Sequence, residues 1–360
     1  MFKRILLCMF LLLILFSQSL NNFSNLSKDI KNSDMVNLLT IVKDSDDLND
    51  CNILKFILFQ YSRTDKILKV LCIDDQITIL QKKVRSKTLK EMFFGQKEEN
   101  RIFFIKKEIE SLLGNQINID YYLVSDVKVA HDFVEIFNRD NAVKNFEQDY
   151  FTRWTANNDY VTSLVYVPKI IRQIINSSNR YILVDFFRFL DVKQHALITN
   201  LKFSDAVYIY SAARNFDINS VRFADVPTIN KRNRTEYDPF GLEKIIKFIG
   251  KNESQYESKQ LMWKVKIEVI NASAKSRLAI KSVDKLRRKG FDIFEWGTSY
   301  KIYEHTVIFD LIENYRQSLK VKNILNAGEI IFRPVDKSFV DISVLLGKDC
   351  TIYDKLDKID

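Results

Sequence analysis

The chain has 360 residues, 46% of them apolar and 12% aromatic, with only 8 Gly and 4 Pro. That composition fills a sizeable core and excludes a disordered, collagenous or low-complexity chain. The net charge of +9 is modest for the length, and the length itself suggests two domains.

The first residues read as an export signal. Lys3 and Arg4 precede an uninterrupted apolar run over residues 5–16. As a helix that run spans about 18 Å, short against a bilayer core of about 30 Å. Ser17-Gln18-Ser19 offers small residues for cleavage, so residues 1–20 are expected to be a signal peptide or a short membrane anchor. Residues 21–49 are rich in Asn, Ser, Asp and Lys, show little periodicity beyond residues 35–42, and read as a polar spacer.

Two apolar runs, 53–59 and 67–73, follow. The polar link Tyr61-Ser62-Arg63-Thr64-Asp65-Lys66 joins them as a hairpin. Asp74 and Asp75 come next. Residues 106–113 are amphipathic and Gly114 ends that helix; Asp120-Tyr121-Tyr122-Leu123-Val124 then reads as a strand. A helix is expected over 169–175, an amphipathic helix near 204–215 and a strand ending at Pro227. Residues 228–262 read as a polar connector with a short helix near 242–249.

Beyond the connector the pattern sharpens. Val265, Ile267 and Val269 alternate with charged residues, the period of a half-buried strand. Asn271-Ala272-Ser273 offers an N-cap, and Leu278, Ala279, Val283 and Leu286 recur at helical spacing. Arg287, Arg288 and Lys289 suit the last turn, and Gly290 is a natural C′ residue. Residues 291–296 read as a further strand. Residues 264–289 hold nine Lys/Arg against Glu268 and Asp284, which suits a solvated helix face or a surface that attracts an anionic polymer.

Few residues invite metal or nucleophile chemistry. The four cysteines show no CxxC spacing and no Cys/His pattern. Cys8 lies in the leader, and Cys72 reads as a small buried hydrophobe. Cys51–Cys350 is the pairing that export would allow. His131, His195 and His305 are isolated in sequence and read as structural. No phosphate-binding glycine motif is present.

The order of motifs resembles the LytR–CpsA–Psr family of bacterial cell-envelope proteins. Over residues 263–348 the strand, Asn271-Ala272-Ser273 turn, Arg277-Leu278-Ala279 helix and Gly290-Phe291-Asp292 are similar to that family's LytR C-terminal domain, with Thr306-Val307-Ile308 resembling its next strand and residues 342–347 its closing one. Over 50–227, Leu112-Leu113-Gly114 and Ile119-Asp120-Tyr121-Tyr122 resemble a motif of its catalytic domain. Cys72-Ile73-Asp74-Asp75 falls where the family has Ile-Pro-Arg-Asp, and Phe151-Thr152-Arg153-Trp154-Thr155 where it has Tyr-x-Arg-x-Arg.

The resemblance implies an α/β protein: a mixed-sheet α/β domain over 50–227, a linker over 228–262, a smaller α/β LytR C-terminal domain over 263–348 and a tail over 349–360. It implies a phosphotransferase that moves a glycopolymer from a polyprenyl-pyrophosphate carrier to the cell wall, at the outer face of the cytoplasmic membrane or in the periplasm. Its partners would be that carrier-linked glycan or wall polymer and the membrane surface, not nucleic acid. Carried over by motif, Asp75 and Arg153 would be catalytic. Arg153 and Tyr121 would bind substrate, and Asp75 and Asp159 would hold Mg²⁺. Asp75 also reads as a strand-end turn residue, Arg153 as a surface arginine and Tyr121 as a strand residue. The arginines the family would place at 74, 155, 162 and 165 are absent, so pyrophosphate would meet little positive charge. Two functions follow: a divergent transferase with weakened or lost activity, or a noncatalytic lipid- or glycan-binding scaffold.

Overall fold

The structure is a computed structural model. It describes residues 28–29, 32–43, 54–79, 87–126, 128–129, 132, 160–175, 197–202, 204–205, 208, 217–231, 234–250, 265–335 and 338–352. The expected leader and the expected helix near 204–215 lie essentially outside the described residues. No described helix is long and apolar enough to cross a membrane.

The fold is mixed α/β. Its elements run β1 (Met35–Lys43), β2 (Leu54–Ser62), β3 (Ile67–Ile73), β4 (Thr78–Ile79), β5 (Lys87–Thr88), α1 (Leu89–Phe94), α2 (Glu98–Leu112) and β6 (Tyr121–Asp126). Then come α3 (Tyr160–Ile175), β7 (Ile198–Thr199), β8 (Val221–Asp225), β9 (Thr228–Lys231), β10 (Arg234–Tyr237) and α4 (Pro239–Gly250). The C-terminal unit adds β11 (Lys266–Asn271), α5 (Leu278–Arg288), β12 (Asp292–Thr298), β13 (Val307–Asp310), α6 (Tyr315–Leu325), β14 (Glu329–Phe332) and β15 (Ile342–Leu346).

One sheet runs through both units, in the order β12-β11-β15-β13-β14-β8-β3-β2-β1-β6-β7. The units join where β14 lies parallel to β8, with Phe332 opposite Ala224. A small second sheet, β5-β4-β10-β9, sits beside it.

Strand alternation sorts the core into two faces. Leu39, Ile41, Phe56, Leu58, Leu71 and Ile73 point to the face covered by α1, α2 and α4. Ile57, Val70, Cys72, Val221 and Phe223 point to the other, where Leu164, Val165, Tyr166, Ile170 and Ile171 of α3 pack. The same side of α3 reaches Val307, Phe309 and Ile331 of the C-terminal unit, so this helix bridges the seam. In the C-terminal unit, α5 and α6 bury Leu278, Val283, Leu286, Val321 and Leu325 against β11, β13, β14 and β15.

Several sequence expectations change. Met35–Lys43, inside the expected polar spacer, is a buried strand between β2 and β6. Asn37 and Thr40 break up its apolar run, and Asn37 is satisfied by bonding to Gln60 and the Asn118 carbonyl. The expected connector over 228–262 contains β9, β10 and, where a short helix near 242–249 was expected, α4, which buries Leu242, Ile245, Phe248 and Ile249 in the core. The helix expected from Lys169 starts at Tyr160 and runs through Pro168; a proline that usually marks a first turn is here inside the helix.

Asn271-Ala272-Ser273 does not cap α5. The Asn271 side chain instead holds the loop, donating to the Lys275 carbonyl at 2.8 Å and accepting from the Ser273 N–H at 3.1 Å. Arg277 takes the N-cap position in a left-handed conformation. Gly290 has φ +88°, as its C′ place requires. Cys350 is a buried free thiol rather than half of a disulfide.

Candidate functional site

Strands β13, β14, β8, β3, β1 and β6 all run the same way, so their carboxyl ends share one edge of the sheet. In open α/β sheets such an edge is where ligands are met. Here it carries charge.

Strand β3 leaves the sheet at Asp74. The Gln76 N–H donates to Asp74 Oδ1 at 3.0 Å and the Ile77 N–H to the Asp74 carbonyl at 3.2 Å, which closes a tight turn. The Lys90 N–H donates to the Asp75 carbonyl at 3.0 Å and docks the start of α1 on that turn. The Gln76 side-chain amide donates to Asp75 Oδ2 at 3.1 Å. Thus Asp75 is both a turn residue and a carboxylate at the edge.

Lys55 stands beside this turn. Phe56 pairs with Ile73, so the next rung of the ladder sets Lys55 against Asp74. Asp225 ends β8 opposite Cys72 and is fully buried. Arg333 follows β14 and reaches across the seam, with Nε 3.3 Å from Asp225 Oδ2. Its own N–H donates to the Asp310 carbonyl at 2.9 Å, and its guanidinium lies over the Phe309 ring.

The electrostatics follow from burial and neighbours. Burial, then the charge of Asp74, pushes the Asp75 carboxyl up to about 6, against the pull of Lys55. Burial also raises Asp74, opposed by the Gln76 N–H and Lys55. Burial lowers Lys55, opposed by Asp75, Asp74 and Cys72. Burial and then Asp225 push the Cys72 thiol up. Among the described residues the cations Lys55, Lys90 and Arg333 therefore face three carboxylates, Asp74, Asp75 and Asp225, and at Asp75 burial outweighs the pull of Lys55 and Lys90.

Of the predicted site residues, Asp75 and Tyr121 are described, and these two separate. Asp75 lies at the edge. Arg153 and Asp159 lie outside the described residues. Tyr121 does not join Asp75: through Leu38 and Phe59 it is level with Val70, on the order of 15 Å along the strands from Asp75. Its buried hydroxyl donates to Asp29, and burial raises its pKa. Its neighbour Asp120 is likewise structural, accepting from the Asn37 N–H at 2.9 Å. Among the described residues, no three His, Cys, Asp or Glu side chains converge as metal ligands. The residues not foreseen are Lys55, Asp225 and Arg333. Lys55 gave a signal, a lone charge inside the apolar run Ile53-Leu54-Lys55-Phe56-Ile57. Asp225 and Arg333 gave none until the sheet brought β8 and β14 together.

Fold and site define a mixed α/β protein with a charged strand-end edge and a C-terminal unit built into the same sheet. Residues 264–349, which make up that unit, match the family model described as LytR cell envelope-related transcriptional attenuator. No curated protein matches the chain in sequence. Among solved structures, TagV of B. subtilis is similar at 12% identity and TM-score 0.47, over 62% of this chain and 97% of that one. Protein gbs0355 of Streptococcus agalactiae is similar at 11% identity and TM-score 0.46, over 67% and 100%. A structure of TagT bound to LI-WTA is similar at 14% identity and TM-score 0.39, over 61% and 90%. These likenesses assign no residue and no activity here.

Proposed function

We propose that this chain is an exported cell-envelope protein that engages a polyprenyl-pyrophosphate-linked glycan at the outer face of the cytoplasmic membrane, with transfer chemistry weakened or lost. The observation that carries the reading is the unit matching the LytR C-terminal family model at 264–349, fused to a unit that sets the Asp74–Asp75 motif at the carboxyl end of a central strand. The motif order over 50–227 supports the same reading. The three carboxylates at that edge favour binding over transfer, because they offset the concentrated positive charge that a departing pyrophosphate needs.

Magnesium is a poor fit to the described part of the site. Asp74 and Asp75 offer hard oxygen ligands, but a lysine stands against them and Asp225 is engaged by Arg333.

The test is to extract the full-length protein in detergent from a bacterium with wall glycopolymers and to weigh it by native mass spectrometry. A co-purifying prenyl-linked glycan supports the reading, and its absence overturns it. Transfer of that glycan to peptidoglycan in vitro separates the readings: turnover marks a transferase, binding without turnover a scaffold.

A further inference from the structure

The cation that serves the Asp74–Asp75 edge is legible in the strand register. We propose that Lys55 is the resident cation of this edge, an ammonium fixed by the protein where a divalent metal would otherwise be needed. The inference rests on the reading of Asp74 and Asp75 as the candidate site.

Three observations carry it. The first is register: Phe56 opposite Ile73 makes Lys55 the cross-strand neighbour of Asp74. Directly opposed residues hold their Cβ atoms about 5 Å apart on one face of the sheet. The second is the face. Ile57, two residues on from Lys55, packs beneath α3 with Cys72, two residues before Asp74. Lys55 and Asp74 therefore continue onto the face that also holds Asp225. The third is that the electrostatic neighbours of Lys55 are Asp75, Asp74 and Cys72 together, so one ammonium serves both acids.

A metal would meet opposition there. Mg²⁺ demands near-octahedral oxygen ligands at about 2.1 Å. Asp74 Oδ1 and Asp75 Oδ2 already accept hydrogen bonds from Gln76, Asp225 is paired with Arg333, and a divalent ion would sit against the Lys55 charge. An ammonium supplies one positive charge where a metal supplies two, and it donates hydrogen bonds to phosphate oxygens rather than coordinating them as a Lewis acid. An edge built this way can hold a phosphate group but stabilises a leaving pyrophosphate weakly.

The probe is Mn²⁺ alone, followed by electron paramagnetic resonance and calorimetry on the full-length protein. The unaltered protein should bind no Mn²⁺ that depends on Asp75. Lys55→Met, which keeps the apolar stem and removes the charge, should gain one Mn²⁺ at least about tenfold more tightly than the unaltered protein. Adding Asp75→Asn to it should abolish that site. Mn²⁺ bound by the unaltered protein and lost in Asp75→Asn overturns the inference. So does a folded Lys55→Met that gains nothing. If Lys55→Met fails to fold, the unaltered protein against Asp75→Asn still decides, with Lys55→Arg expected to bind no Mn²⁺. Failure here leaves a co-purifying glycan untouched, and absence of that glycan leaves the Mn²⁺ result untouched, so the two readings fail separately.

Discussion

The strand-end edge and the seam between the units are both rich in charge, yet they are built differently. At the seam each carboxylate meets several partners. Glu329 Oε2 takes Arg172 at 3.0 Å and Lys322 at 3.1 Å. Asp349 Oδ1 accepts from the N–H and the hydroxyl of Thr306, both at 2.7 Å, while His305 and Lys169 face Oδ2. Burial works to raise the Asp349 pKa, but those hydrogen bonds and Lys169 hold it below the ordinary value. At the edge the balance is reversed, and Asp75 rises to about 6. Carboxylates that hold a fold together are satisfied in their ionised form. A carboxylate whose burial outweighs the cations around it marks a candidate site.

The sharpest way to break this comparison is at Arg333, which belongs to both regions. Arg333→Ala removes the arginine from a fully buried Asp225. Leaving a buried charge so exposed to its surroundings costs roughly 3–5 kcal/mol. Urea denaturation of the full chain should show that loss. A change under about 1 kcal/mol would mean that Asp225 is held by its other contacts.

Next in size is the seam. Glu329→Gln keeps the shape but takes the charge away from Arg172 and Lys322, and should cost about 1–2 kcal/mol. Because β14 and β8 share one sheet, the unaltered chain should melt in a single calorimetric transition. Two separate transitions in the unaltered protein would show that the seam does not couple the units.

How far this was readable in sequence differs between the units. In the C-terminal unit β11, α5 and β12 fall where the sequence pattern places them, β11 and α5 because each is half-buried with one polar face. β13, buried throughout, and β15 fall where the resemblance to the LytR C-terminal domain places them. α6 and β14 were not foreseen; β14 is four buried residues, Glu329–Phe332, too short for a period to show. In the first unit β2, β3 and β6 were legible, but β1 showed only as a periodic stretch at 35–42 inside a polar segment. Its neighbours in sequence are polar, and the groups that satisfy Asn37 come from β2 and the loop before β6. The site was half legible. Asp75 stands in a motif, whereas the Lys55–Asp74 and Arg333–Asp225 neighbours are products of register and of the seam.

Two carboxylates turn the comparison into opposite pH dependences. Asp349, depressed in the folded protein, contributes stability that is present above the unfolded value of about 4 and is lost as pH falls through the lower folded value. Asp349→Asn keeps an oxygen for Thr306 but loses the charge that faces Lys169 and His305. It should cost about 1 kcal/mol at pH 7, and the cost should shrink below about pH 4. A cost that persists unchanged at pH 2–3 would show that charge is not what Asp349 supplies.

The smallest effect on stability is expected at Asp75, and its sign is the reverse. Its folded value of about 6 lies above the ordinary 3.8, so between those values the folded state binds the proton that the unfolded state releases. Stability of the unaltered protein therefore falls as pH rises through that window, and the penalty is complete above about pH 6. Asp75→Asn removes the charge and the penalty with it. The variant should match the unaltered protein at pH 4 and exceed it at pH 7 by on the order of 0.5–1 kcal/mol, solvent screening allowed for. Thermal melts at the two pH values measure the difference. A residue selected for stability would not carry such a cost, while one retained for ligand binding would. Asp75→Asn should then be more stable and yet co-purify with less prenyl-linked glycan. A variant destabilised at pH 7 would place Asp75 among the structural carboxylates and erase the difference between edge and seam.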